Sequence, residues 1–406
     1  MGLLGFAALL ALAFLCSEDR RRIPWRTVIV GLALQLVLAV LLIHLSAARS
    51  VVLLLNGAAT SLQAATDSGT AFLFGYLGGG PAPFDVTHRA YTVILAFKIL
   101  PLVLVISALG ALLFYWGVLQ RLTGAFAWLL RRAMGVGGAL ALAAAVHIFV
   151  GMVEAPLLIR PYLARMQRGE LFAVMTCGMA GVAGTVMVIY ATVLGPVIPN
   201  ALGTILVASI ISTPAGLAVA ALMVPFGPGE ASGELGLRDQ PVSSLDAIVR
   251  GTAAGVAPLV GITTMLLVAV SLVALVNMAL GLLPGGITLQ GLFAYVFRPV
   301  VWLIGVPWGQ SAVAARLLGT KTVLNEFIAY LDLAALPADA LNARSRLIMT
   351  FALCGFANFG SLGILIGGMG AMVPERRTEI VALGTRSLLS GTIATCLSGA
   401  VAGLLT

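Results

Sequence analysis

Residues 139–156 read ALALAAAVHIFVGMVEAP, an apolar run that stops at Gly151-Met152-Val153-Glu154-Ala155-Pro156. The run is about a dozen residues long, short of the ~20 that a membrane-crossing helix needs. A second short run, Leu157–Met166, follows at once, with Arg160 and Arg165 near its end. A glycine before a buried glutamate and a proline after it do not make a continuous helix. Two short arms with a polar tip form a re-entrant hairpin, which is tolerated at membrane depth only where its tip is buried in protein or lines a cavity. The pattern recurs downstream. Val306–Thr320 is a short arm, Lys321–Asn325 a polar tip and Glu326–Leu333 a return arm, so Glu326 corresponds to Glu154. After each hairpin comes a span interrupted by small residues. These are Leu171–Leu194, with Gly178, Gly181 and Gly184, and Arg346–Gly367, through CGFANFGS at 354–361. A complete span then follows each, Ala201–Val224 and Thr385–Leu405.

The rest of the chain agrees with a membrane setting. Of 406 residues 60% are hydrophobic and 9% charged, with a mean hydropathy of +1.09. Soluble domains carry roughly 25% charged residues. The apolar residues form long runs without the alternation of a barrel strand, which excludes a β-barrel and leaves an all-α polytopic membrane protein. The net charge of +8 is almost entirely arginine, the lysines being Lys98 and Lys321. Short basic clusters at helix ends report orientation, so no nucleic-acid partner is expected. Met1–Cys16 reads as a short first membrane helix with its N-terminus outside, because its charges follow the apolar run instead of preceding it. Arg20, Arg21, Arg22 and Arg26 then lie in the cytoplasm, and Thr27–Leu45 crosses outward. Ser50–Pro83 suits an interfacial helix and loop. Tyr91–Leu119 returns inward, and Arg121, Arg131 and Arg132 mark an amphipathic cytoplasmic stretch. Phe226–Gln240 is a polar linker, Asp246–Val256 starts a helix capped by Ser243 or Ser244, and Pro258–Leu283 spans outward. Trp25, Trp116 and Trp128 fit interfacial anchors. Cys16, Cys177, Cys354 and Cys396 have neither disulfide-framework nor zinc spacing.

A single crossing between the two similar halves inverts the second relative to the first. This is the inverted-repeat, broken-helix plan of secondary transporters. The organisation expected is 1–135 N-terminal helices and scaffold, 136–225 first transport repeat, 226–296 linker, interfacial helix and scaffold span, and 297–406 second transport repeat. No Walker-type phosphate loop is present, which disfavours an ATP-driven pump. An intramembrane carboxylate is costly to bury, so Glu154 and Glu326 read first as ligand or proton contacts and second as structural hydrogen-bond acceptors. Asn358 and Ser361 either hydrogen-bond a solute or bond back to helix carbonyls. His147 serves either packing or proton movement. Phe356 either stacks on a ring or fills the core. The histidines His44, His88 and His147 are scattered and form no nucleophile–base pair or metal cluster, so no enzyme and no cofactor is expected.

Three motifs, HIFVGMVEAP at 147–156, GTKTVLNEF at 319–327 and FALCGFANFGS at 351–361, resemble the signatures of the concentrative nucleoside transporters. GTAFLFG at 69–75 and GVPW at 305–308 extend the likeness over most of the chain. The resemblance implies a homotrimer with about eight transmembrane helices, two re-entrant hairpins and three interfacial helices per protomer. It implies cation-coupled nucleoside uptake across the bacterial cytoplasmic (inner) membrane. Ribose contacts fall on Glu326, Asn358 and Ser361 with Phe356 nearby, and base contacts on Met152, Val153, Glu154 and Val186. The family's usual first tip is Gly-Gln-Thr-Glu; here it is Gly151-Met152-Val153-Glu154, two base-reading donors having become apolar. The sodium-coupled members use an asparagine and a serine where this chain has His147 and Gly181. Sodium prefers oxygen ligands, so the expected co-substrate is H+, with His147, Glu154 or Glu326 as carrier. Na+ coupling and a passive facilitator are the alternatives.

Overall fold

The computed structural model describes residues 1–86, 94–227, 241–282 and 286–406, and every regular element among them is helical. Most of the polar linker expected at 226–240 lies outside the described residues. Among the described residues five stretches are long and apolar enough to cross a bilayer: Trp25–His44, Leu95–Tyr115, Ala201–Met223, Ser244–Leu280 and Pro374–Leu405. The chain is a multi-pass membrane protein.

In chain order, α1 (Gly2–Leu15) and α2 (Trp25–His44) precede α3 (Ser46–Phe74), which ends at Gly75, where φ is +59°. Helices α4 (Leu102–Tyr115) and α5 (Val118–Met134) lead into the first hairpin, built of α6 (Gly138–Val146), α7 (Glu154–Leu158) and α8 (Arg160–Leu163). The first broken span is α9 (Arg168–Ala180) with α10 (Gly184–Leu194), followed by α11 (Ala201–Met223). Helix α12 (Ser244–Leu280) is one element of 37 residues, not the two expected to part before Pro258. Proline deletes a single donor, and neighbouring groups and local adjustment tolerate that in a membrane helix. Ser243 caps it, accepting from the Asp246 amide at 3.1 Å. Then α13 (Leu289–Leu303) leads to the second hairpin, α14 (Trp308–Val323) and α15 (Glu326–Ala335). The second broken span is α16 (Ala343–Leu353) with α17 (Phe359–Met372), and α18 (Arg377–Leu405) closes the chain.

The core is centred on α11 and α18, which are buried along most of their length. With little hydrophobic force between helices in lipid, small residues and hydroxyls hold such a core together. Gln35 of α2 donates to Ser398 Oγ of α18 at 3.2 Å, and Ser398 shares a 2.7 Å hydrogen bond with Ser212 of α11. Thr176 of α9 and Ser390 of α18 meet at 2.7 Å. By contrast α4 and α12 pack on each other and leave most of their surface outward. A Cβ at Gly251 or Gly255 would stand 2.6 Å from Ala111 Cβ or 2.9 Å from Ser107 Cβ, so these glycines let the two helices approach.

The two ends of the bundle differ. At one end lie Arg20–Arg22 and Arg26, with α5 tied to the start of α2 by Thr27 Oγ1 donating to Met134 O at 3.1 Å. Here Glu18 accepts from Arg168 at 2.9 Å and from Arg386, and Arg376 pairs with Glu379 at 2.7 Å. At the other end Gly2 packs against Leu404, and Arg344 donates to Gly403 O and to Gly305 O.

The hydrogen bond from Arg168, with the charges of Arg168 and Arg386, holds the Glu18 carboxyl below the usual carboxylate range against an opposing burial cost. A carboxyl depressed in the folded state stabilises the fold above its unfolded pKa and loses that contribution as pH falls through the folded one. Glu18→Gln is therefore expected to cost up to about 1 kcal/mol at neutral pH, the network being partly exposed. Melts recorded from about pH 6 to pH 3 should show the wild-type advantage shrinking as the carboxylate protonates.

Candidate functional site

Each broken span leaves backbone groups without helical partners, and the two breaks satisfy one another. The Phe356 amide donates to Gly181 O at 3.2 Å, joining the α16–α17 break to the α9–α10 break. Ser209 of α11 accepts from the Val182 amide at 3.3 Å and lies 3.6 Å from Cys354 Sγ. At the C-terminal end of α16, Ala352 O accepts from Lys321 Nζ at 2.8 Å, and the ammonium also donates to Thr395 Oγ1 at 3.0 Å. A cation at a helix C-terminus meets the negative end of the helix dipole. Lys321 is fully buried inside α14. The polar tip expected at 321–325 is thus shorter, confined to Leu324 and Asn325, because an acceptor on another helix lets the lysine remain helical.

Asn325 caps α15 by accepting from the Ile328 amide at 2.9 Å, and this places Glu326 on its first turn. Glu326 is 4% exposed. Its Oε1 accepts from Tyr190 OH at 2.6 Å and its Oε2 from Asn358 Nδ2 at 2.9 Å. Asn358 in turn caps α17, its Oδ1 accepting from the Ser361 amide at 2.7 Å. One carboxylate thereby joins the second hairpin to both broken helices. Asn358 serves its own helix and the glutamate together, Ser361 is buried beside it, and Phe356 is half-buried at the break. Tyr190 was not among the residues singled out above. Its ring stacks on Phe327 with centroids 5.8 Å apart and tilts against Tyr330 at 5.2 Å. The available signal was a phenol inside an otherwise apolar span, since a buried tyrosine hydroxyl needs a partner.

The first hairpin is built differently. Glu154 opens α7 but is exposed and accepts no hydrogen bond among the described residues, so the buried glutamate expected there is absent. The reason is local: the tip from His147 to Val153 packs its apolar groups inward. Met152 lies against Gly178, where a Cβ would stand 3.2 Å from Met152 Cβ, and Val153 lies against Gly368 of α17. Phe149 O sits over Gly184 at the start of α10. Val186 is buried on α10. His147 is 5% exposed, its ring lies near Gly178, and its Nε2 has no hydrogen-bond partner. Gly181 has open space beside it, since a Cβ there would meet nothing closer than Ser209 Oγ at 3.9 Å. The structure brings Glu326, Asn358, Ser361 and Phe356 together, and separately gathers His147, Met152 and Val153 near the first break.

Family models match nearly the whole chain. "Na+ dependent nucleoside transporter N-terminus" covers residues 4–77, "Nucleoside recognition" residues 96–197, and "Na+ dependent nucleoside transporter C-terminus" residues 204–403. The chain belongs to the concentrative nucleoside transporter family. This family comprises transporters, not enzymes. The chain is 36% identical to an uncharacterised transporter of Haemophilus influenzae, over 99% of its own length and 96% of the relative's. It is 32% identical to nucleoside permease NupC of Helicobacter pylori, over 98% and 96%. A solved structure of CNTnw in an inward-facing substrate-bound state superposes with a TM-score of 0.91 at 35% identity, covering 100% of this chain and 97% of that one.

Within this concentrative nucleoside transporter the contact between breaks is tight. A Cβ at Gly355 would stand 2.7 Å from Thr395 Cγ2 and 2.8 Å from Met179 O, which is backbone. Gly355→Ala is expected to destabilise the protein by about 1–3 kcal/mol through overpacking, read as a lowered melting temperature. Tyr190→Phe, which removes one donor to a buried carboxylate, should cost about 1.5–3 kcal/mol by the same measurement while conserving volume.

Proposed function

We propose that this transporter imports nucleosides or nucleoside analogues, with the ribose held by Glu326, Asn358 and Ser361 beside Phe356. The observation that carries this reading is the buried Glu326 carboxylate, whose two oxygens accept from a phenol and an amide. Vicinal hydroxyls offer the same kind of donors, and a solute that lacks them leaves further acceptor positions of the buried carboxylate unfilled. The base side is Met152, Val153, Glu154 and Val186. With Met152 and Val153 standing where two base-reading donors are usual, tolerance of unusual or modified bases follows.

Coupling to protons is the better reading of the first break. His147 supplies nitrogen where a sodium ion favours oxygen, and Gly181 O already accepts from the Phe356 amide. The unpartnered Nε2 of His147 supports it as a proton carrier, with Glu154 and Glu326 the other candidates. The two hairpins with their broken and following spans, 136–225 and 297–406, act as the transport repeats. The segments 1–135 and 226–296 form the scaffold. The outward apolar surface of α4 and α12 supports assembly into a homotrimer within the bacterial cytoplasmic membrane.

Uptake of labelled nucleosides into proteoliposomes tests both statements. Accumulation should follow an imposed proton gradient; equal uptake with and without it would sink proton coupling. Glu326→Ala and Asn358→Ala should each lower uptake of all ribosides alike, by about ten- to a hundredfold, and survival of transport in both would remove the ribose assignment. The double change His147→Asn with Gly181→Ser, for which the structure leaves room at 181, should make uptake sodium-stimulated.

A further inference from the structure

At the end of the bundle that carries Gly2 and Leu404, α13 and α14 run antiparallel side by side. Gly319 near the end of α14 packs on Gln290 at the start of α13, and Arg298 of α13 donates through Nε to Ser311 Oγ of α14 at 3.1 Å. Four arginines lie in this half of the molecule, opposite the arginine-rich end, where the positive-inside rule expects few. Two of them have clear structural duties. Arg344 donates to Gly403 O and Gly305 O, and Arg346 to the carbonyls of Leu341, Leu333, Leu336 and Pro337.

Arg298 and Arg316 have no such acceptors. The Arg298 guanidinium lies 4.4 Å over the Trp308 ring, and with its Nε on Ser311 it presents its terminal nitrogens in a fixed orientation. Arg316 of α14 is exposed and pairs with no acid among the described residues. Both line a cavity of about 410 Å³ together with Thr288, Leu292 and Tyr295, and no Asp or Glu lines it. Two guanidiniums lining one cavity without an acidic side chain among its lining residues make it a site for an anion. Beside them Leu292, Tyr295 and Val296 form an exposed apolar row on one face of α13. Trp302 and Trp308 meet edge to face at 5.9 Å, and Trp308 is half exposed, as interfacial aromatics are.

The geometry points to a phosphate-binding pocket between α13 and α14 that takes the headgroup of an anionic phospholipid. The guanidiniums face the phosphodiester, since arginine matches phosphate oxygens with paired N–H donors. The apolar row lies along the acyl chains. Basic pockets between membrane helices bind anionic headgroups by this chemistry. A bound lipid ties α13 to the hairpin arm whose tip carries Glu326, without touching the proposed nucleoside contacts.

The test uses the full chain, delipidated in detergent and titrated with phosphatidylglycerol or phosphatidylcholine, with bound lipid counted by native mass spectrometry. Phosphatidylglycerol should be retained in preference, and Arg298→Gln and Arg316→Gln should each weaken its binding about fivefold. Unchanged melting temperatures would show that the variants are folded. Equal retention of the two lipids, or a preference that persists in the double variant, overturns the proposal. Displacement of the lipid by millimolar inorganic phosphate overturns the lipid assignment in favour of a free anion. A double variant that changes oligomeric size with its lipid preference intact identifies the face as a protein contact and equally overturns it.

Discussion

A helix that stops halfway across a bilayer leaves amide and carbonyl groups where no water can meet them, and each unsatisfied group costs several kcal/mol. This protein stops two helices at one depth and lets each complete the other, with the Phe356 amide on Gly181 O. Side chains meet further groups: Ser209 of α11, Lys321 of α14 and Asn358 at the start of α17. The surrounding composition follows from that constraint. Gly355 and Gly391 are small because the Met179 backbone lies against both positions. The long buried helices α11 and α18 are needed to supply hydroxyls at the level of the breaks.

The repeat is equal in topology and unequal in chemistry. Both hairpins end in a glutamate that opens a return arm, yet only Glu326 is buried and bonded to two other elements. The difference lies in what surrounds each tip. The second tip faces a tyrosine and an asparagine, both able to donate to a carboxylate, whereas the first presents Met152 and Val153 to glycines. An inverted repeat therefore places two hairpins opposite each other without giving both tips the same chemistry, and the buried polar network gathers at the second.

The lengths of the apolar runs and their glycine interruptions made the hairpins and breaks legible, because a run of about a dozen residues cannot span a bilayer. Motifs marked Glu326 and Asn358 as residues of one site, but neither the hydrogen bond between them nor the cap that Asn358 forms by accepting from the Ser361 amide is written in the local pattern. What was not legible depends on partners distant in sequence. Lys321 looks like part of a tip until Ala352 O, 31 residues away, is found to accept from it. Tyr190 has no local signal of its acceptor, 136 residues downstream. Glu154 looked equivalent to Glu326 because a linear pattern carries no measure of exposure. The continuity of α12 through Pro258 belongs to the same class, since one missing donor is judged against the whole helix.

The same reasoning separates the arginines. Short basic clusters at helix ends fit a role in topology, and Arg168, Arg376 and Arg386 at the arginine-rich end also pair with Glu18 or Glu379. Those at the opposite end cannot owe their place to that rule, so each needs a local acceptor. Arg344 and Arg346 have backbone carbonyls that helix ends leave free, which is a structural use of charge. The Arg298 guanidinium is oriented by the Trp308 ring and by Ser311 Oγ, which leaves its terminal nitrogens available to an anion at the cavity. Fixation of a charge before its partner arrives is the signature of a binding group, and it distinguishes Arg298 from the surface arginines that move freely in solvent.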